Sequence, residues 1–215
     1  MRTIDPHQHR RAPGHRPGHA LLALTPPVRP AAFTLVEAMV AVAVAAILMS
    51  AAVPGFRALL ERHAVRAASA DLLAALHLAR SQAIGRGENV VVAPVDPAGV
   101  AWRDGWAVFA DTDGDARPGP GETVLFRHGP APDRLRIWSR LTHAAPPFYV
   151  AYNSAGRTCR ASNSLAANWG TLSLQLGSTQ RNIKINMLGR ARLCDPRLES
   201  GCSMANESAS EAAGE

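Results

Sequence analysis

The run from Phe33 to Val53, FTLVEAMVAVAVAAILMSAAV, constrains this chain more than any other stretch. Ala, Val, Leu, Ile and Met supply the roughly 20 consecutive apolar residues that a spanning helix needs. Glu37 is its one charge. A carboxylate in hydrocarbon is costly and is tolerated when an opposite charge meets it, so its presence there points to function. The plainer alternative is a signal anchor whose single acid lies near the lipid headgroups.

The neighbours of Glu37 favour the functional reading. Counting from Phe33, the sequence runs Phe33-Thr34-Leu35-Val36-Glu37, with the acid fifth and Pro54 twenty-second, followed by a segment of helical spacing. This resembles the N-terminus of type IV prepilins and pseudopilins. The resemblance implies cleavage by a prepilin peptidase between Ala32 and Phe33, then methylation of the new amino group. It also implies that Glu37 pairs with the N-terminal amine of a neighbouring subunit during assembly. The family usually has Gly before the cut, and Ala32 stands there instead.

Charge is distributed to match. Arg2, Arg10, Arg11, Arg16 and Arg29 face only Asp5 in residues 1–32, so most of the overall +6 belongs to this leader. A basic segment before an apolar run keeps the N-terminus cytoplasmic. Taken with that orientation, the prepilin resemblance implies a location in the bacterial inner membrane, single-pass, with the head in the periplasm and later in an extracellular pilus. His7, His9, His15 and His19 fall among Pro and Arg in the same leader and are not read as a metal site. His63, His77, His128 and His143 show no pairing with a nucleophile, so no enzyme is expected, and no cofactor. Trp102, Trp106, Trp138 and Trp169 are read as core.

In order, the chain divides into a cleaved leader (1–32), the membrane and assembly half of a helix (33–53), a globular head (54–197) and an acidic flexible tail (198–215). The helix runs from Phe33 to about Ile84, with a bend at Pro54–Gly55 and an end at Gly85 and Gly87. Phe56, Leu59, Leu60, Ala64, Ala67, Ala68, Leu72, Ala75, Leu76 and Ala79 recur at helical spacing and form the face that packs on the head. Short β-rich runs follow at Val90–Ala93, Trp106–Ala110, Thr123–Arg127, Arg134–Trp138, Phe148–Tyr152, Gly170–Gln175 and Asn182–Asn186. One long helix before many short strands predicts an α+β fold, with an antiparallel sheet or sandwich covering the helix.

Leu76-His-Leu-Ala-Arg80-Ser-Gln-Ala-Ile84, Gly105-Trp106-Ala-Val-Phe109-Ala-Asp111, Tyr152-Asn-Ser-Ala-Gly156-Arg157 and Asn186-Met-Leu-Gly189-Arg190-Ala191-Arg192 narrow the resemblance to the GspH/FimT pseudopilins. In FimT-like minor pilins a C-terminal Gly-Arg-x-Arg motif is associated with binding DNA for uptake. Gly189, Arg190 and Arg192 match it. Arg190 and Arg192 alternate, so an extended strand projects both from one side. Gly189 lets the backbone approach a ligand, and two guanidiniums can each fork onto phosphate oxygens without reading sequence. Lys184 and Arg181 are expected to support them. Double-stranded DNA is then a partner, alongside other pilin subunits, the prepilin peptidase and the inner membrane. The competing expectation is a purely structural minor pseudopilin, priming or capping a pilus or a type II secretion pseudopilus, whose arginines form a solvated face or contact the next subunit.

The cysteines are Cys159, Cys194 and Cys202. The resemblance implies a Cys194–Cys202 bridge, while spacing leaves Cys159–Cys194 open. Asp111, Asp113 and Asp115, with Glu122 in twelfth place, have the acid spacing of a calcium loop. Ala116 at the position that needs Gly, Pro118 and Pro120 in the middle, and strand-like flanks favour a plain turn between strands, so no metal is assigned.

Overall fold

A computed structural model describes residues 33–202. The chain divides into two compact units between Ile47 and Leu48, each taken by itself below. Leader residues 1–32, including Ala32, and residues 203–215 of the expected tail lie outside the described residues.

Helix α1 spans Leu35–Arg86 and is unbroken through Pro54 and Gly55. Thr34 caps it: its Oγ1 accepts the Glu37 N–H at 3.2 Å. Thr34 and Glu37 thus occupy the first and last places of a capping-box spacing. Within the first unit, Phe33, Leu35, Val36, Met39, Val40, Val42, Val44 and Ile47 are all exposed. This is the helix that is long and apolar enough to cross a membrane.

In the second unit α1 is buried along Val65, Ala68, Leu72, Ala75, Leu76, Ala79 and Ala83. The spacing is helical, as the sequence predicts, but the stripe starts later. Phe56, Leu59 and Leu60 remain exposed, because the sheets begin to cover the helix only at Val65. The helix also ends two residues beyond Ile84. Gly85 stays inside it, and Gly87 closes it by donating its N–H to the Ala83 carbonyl at 3.0 Å.

The strands form two antiparallel sheets. One contains β1 (Val90–Pro94), β2 (Trp106–Ala110), β3 (Val124–His128), β5 (Val150–Tyr152) and β6 (Thr158–Cys159) in the order β3-β2-β1-β5-β6. The other contains β4 (Arg136–Leu141), β7 (Gly170–Leu176), β8 (Thr179–Ile185) and β9 (Ala191–Cys194) in the order β4-β7-β8-β9. The α+β architecture predicted from sequence is the one observed. All seven expected runs are strands, Trp106–Ala110 with the expected ends and the other six with one or both ends shifted, while β6 and β9 were not foreseen.

The apolar pattern explains the layering. In β1 every residue of VVVAP is buried, as expected for a strand covered on both faces. Val90 and Val92 point into the main core with Trp106, Val108, Val150 and Tyr152. Val91 and Ala93 enter a smaller core with Phe109, Tyr149, Ala151 and Cys159. In the second sheet the residues alternate. Leu172, Leu174, Ile183 and Ile185 enter the core shared with α1, and Thr171, Ser173, Asn182 and Lys184 take the opposite face.

Candidate functional site

That opposite face carries a basic row. Strand register places Arg140 of β4 opposite Thr171 of β7, Thr171 opposite Lys184 of β8, and Lys184 opposite Arg192 of β9. Three cations thus lie along one line across all four strands. One row away lie Trp138, Ser173, Asn182 and Cys194. On that row the chain folds back: Cys194 is bonded to Cys202, and Asn182 Nδ2 donates to the Cys202 carbonyl at 3.3 Å. Cys202 is buried, so residues up to 202 belong with the head and the expected start of a flexible tail at 198 is too early. Cys159 is a buried free thiol.

Arg190 reaches the row from a turn. Asn186 links β8 to β9 by accepting the N–H groups of Leu188 (3.1 Å) and Arg190 (2.9 Å) on its Oδ1. Its own N–H and C=O bond Arg190 and Gly189. The turn linking β5 to β6 repeats this arrangement: Asn153 Oδ1 accepts from Ala155 and Arg157, both at 3.1 Å, and its main chain bonds Arg157 and Gly156. Gly156 and Gly189 have φ of +69° and +80°, a region that L side chains enter at a cost. The shared N-x-x-G-R pattern is visible in the sequence and is the signal that identifies both turns.

Arg80 of α1 joins the two turns. Its Nε donates to Gly156 O at 3.0 Å and its Nη2 to Leu188 O at 3.2 Å. Thr158 Oγ1 adds a bond to Asn186 O at 3.0 Å. A Cβ on Gly189 would overlap the Gly156 carbonyl oxygen. Glycine is therefore needed there for packing between the turns, and its buried backbone is not open to a ligand as the sequence suggests.

Lys184, Arg190 and Arg192 line one open groove of about 610 Å³ with Trp169, Thr171 and Met187. An adjoining depression of about 390 Å³ shares Trp169, Thr171 and Lys184 and adds Arg140 and Thr142. Arg181 lies apart, engaged in an ion pair with Asp195. Arg192 pairs with Glu199 at 2.8 Å. Trp102, Trp106 and Trp138 are buried, as expected of core residues. Trp169 is 42 % exposed; it sits just ahead of β7, and among the described residues it is the one tryptophan left open at that end of the sheet. Arg140 and Trp169 are groove residues that the sequence reading missed.

The acidic loop joins β2 to β3, as a plain turn between strands would. Asp111, Asp113 and Asp115 bring one carboxylate oxygen each within 4.8 Å of one another. Those carboxylates hold the loop's own backbone: Asp111 accepts from Gly114 at 2.7 Å and Ala116 at 3.3 Å, and Glu122 from Thr112 and Gly119, both at 2.8 Å. Burial raises the Asp111 pKa, against the opposing effect of those two N–H groups. Burial likewise pushes the Cys159 thiol up to about 11, with Asp111 adding to it. At Asp195 burial acts upward but is outweighed by the Arg197 N–H and the Arg181 guanidinium, which hold the carboxyl below its ordinary value.

Residues 68–189 match the family described as type II transport protein GspH. Residues 29–53 match the prokaryotic N-terminal methylation motif. Similar solved structures include the type IV minor pilin FimU of Pseudomonas aeruginosa PAO1, 18 % identical with a TM-score of 0.48, covering 64 % of this chain and 92 % of that one. The minor pseudopilin EpsH from the type 2 secretion system of Vibrio cholerae is 17 % identical with a TM-score of 0.43, covering 61 % and 97 %. No curated protein matches the chain.

Proposed function

Since the chain belongs to the GspH family of type II transport proteins, and is thus a minor pilin or pseudopilin subunit rather than an enzyme, we propose that it binds DNA non-specifically for uptake in natural transformation. The observation that carries this reading is the groove in which Lys184, Arg190 and Arg192 converge, backed by the cross-strand row that adds Arg140. Guanidiniums and an ammonium on a rigid sheet bind duplex phosphates without contacting base edges, so affinity is set by charge and falls with salt.

The N-terminal half of the proposal follows the methylation motif. Cleavage between Ala32 and Phe33 frees an amine, Glu37 of one copy meets that amine on another, and the apolar helix anchors the subunit in the inner membrane with its head in the periplasm. Exposure of Leu35, Met39, Val42, Ile47, Met49, Phe56 and Leu60 in the single chain supports burial by lipid first and by neighbouring subunits later.

A second reading has its own support. The pairing of Arg192 with Glu199 and of Arg181 with Asp195 suits a structural pseudopilin whose basic residues serve folding or contacts with the next subunit. Fluorescence anisotropy with labelled duplex DNA, using the full chain in detergent, separates the two. Wild type and the Arg190→Ala/Arg192→Ala variant share the same N-terminus, so the leader arginines contribute equally. We expect the variant to bind more weakly and the slope of log affinity against log salt to shrink by about 2. Equal affinities at low salt would leave the structural reading standing.

A further inference from the structure

Of the four tryptophans, Trp169 alone is open to solvent, and it lies among cations. It lines the groove that holds Lys184, Arg190 and Arg192 and also the depression that holds Arg140. A large aromatic left exposed beside positive charge is the pattern by which proteins hold polynucleotides with free bases: the ring stacks on a base, and the cations follow the backbone. Duplex DNA presents its phosphates to such a groove but keeps the faces of its bases stacked inside. Only an unpaired nucleotide offers a face to Trp169.

Trp169 is also held firmly enough to act as a platform. Its N–H donates to Thr142 Oγ1 at 3.0 Å, and its carbonyl accepts the Thr142 N–H at 2.9 Å. Behind it, the buried Asn168 accepts from Thr142 Oγ1 at 3.2 Å and the His143 N–H at 3.0 Å, and donates to the Tyr149 carbonyl at 3.2 Å. A backbone fixed on both sides leaves little chain entropy to lose when a base arrives. From Arg140 to Arg192 the row crosses three strand spacings, roughly 14 Å. A short stretch of single strand can lie along it, with phosphates on Arg140 at one end and on Arg190 and Arg192 at the other.

We infer that this groove grips unpaired nucleotides of the bound DNA, at a gap, an overhang or a frayed end, by stacking a base on Trp169 between flanking phosphate contacts. The inference rests on the DNA-binding reading and makes its ligand more specific.

The test titrates the full chain in detergent with an oligothymidylate and with a duplex of equal length, comparing wild type, Trp169→Ala and Trp169→Phe. Tryptophan emission is followed together with anisotropy, and thermal midpoints check folding. Wild type should bind the single strand more tightly than the duplex, with its emission quenched. Trp169→Ala should lose roughly fivefold or more in single-strand affinity while duplex affinity stays within twofold. Trp169→Phe should retain most of the preference, which a loss of folding would not allow. Duplex binding at wild-type strength, with no single-strand preference and no effect of Trp169→Ala, overturns this inference and leaves the DNA-binding reading intact. Failure of wild type to bind either probe overturns both.

Discussion

Arg80 Nε donates to the carbonyl oxygen of Gly156 across 3.0 Å, and this bond ties the long helix to one of two matching turns. The other Arg80 bond, to Leu188 O at 3.2 Å, reaches the second turn, which sets the position of Arg190. One guanidinium therefore connects α1, the end of the five-stranded sheet and the basic edge of the four-stranded sheet. A planar fork satisfies two carbonyls that point from different directions, which a lysine ammonium does less well. Hydrogen bonds from a charged donor contribute about 1.5–3 kcal/mol each when buried, and less here because one of the two is solvent-exposed. Arg80→Ala should destabilise the protein by about 2 kcal/mol, lowering the thermal midpoint by about 4–8 °C, and Arg80→Lys should recover less than half of that. A calorimetric or circular-dichroism melt checks it, and an unchanged midpoint for Arg80→Ala would remove Arg80 from this role.

Gly189→Ala tests the contact between the turns. The residue has φ +80°, where an alanine costs about 1–2 kcal/mol, and the new methyl would overlap the Gly156 carbonyl. Overpacking against backbone adds about 1–3 kcal/mol, so the expected loss is about 2–5 kcal/mol in a denaturant titration. Were Gly189 instead a point of ligand approach with no packing role, the same variant would lose binding and only the roughly 1–2 kcal/mol of its backbone conformation.

The contrast between Gly189 and its surroundings shows what the residues alone reveal. Runs such as Val90–Ala93 and Trp106–Ala110 announce themselves because β-branched and aromatic residues have few other places to go. The ARLC of β9 does not, since it is short, holds no β-branched or aromatic residue, and takes its strand character from pairing with β8. The cations at 184, 190 and 192 were legible as a group, and their register across the sheet explains why they meet. Trp169 goes against expectation because a tryptophan is usually buried, and its exposure just ahead of β7 shows only in the folded chain. In the sequence Arg80 is only a charge beside the apolar stripe of an amphipathic helix. Its partners lie 76 and 108 residues away, beyond the reach of any local pattern.

The Arg181–Asp195 pair makes stability depend on acid. Asp195 is held below the ordinary carboxylate value of about 3.9, with the Arg197 N–H and Arg181 outweighing burial. A carboxyl whose folded pKa is depressed contributes stability above its unfolded value and loses it as pH falls through the folded one. The contribution should thus be complete at neutral pH and fade below about pH 4. Asp195→Asn removes the titrating group, so its stability should sit below wild type at pH 7 and approach it toward pH 3. Curves that run parallel over that interval would show that the pair carries no pH-dependent stability.

Arg190 and Arg192 should not contribute equally to DNA binding. Arg192 Nη1 sits 2.8 Å from Glu199 Oε2, with both side chains about half exposed, so a phosphate must compete with a carboxylate for that guanidinium. Arg190 forms no ion pair among the described residues and meets DNA without such a rival. Exposed pairs of this kind contribute at most about 1 kcal/mol, which limits the effect to about two- to fivefold. Arg190→Ala should weaken duplex binding more than Arg192→Ala, reducing the salt slope by about 1. Glu199→Gln, which keeps the shape of the side chain and removes its charge, should strengthen binding about two- to fivefold. That gain should vanish when Glu199→Gln is combined with Arg192→Ala, because the competing carboxylate acts through that arginine. A gain that persists in the double variant would mean that Glu199 repels DNA through the general field of the face, and that the Arg192 pair does not regulate access to the groove.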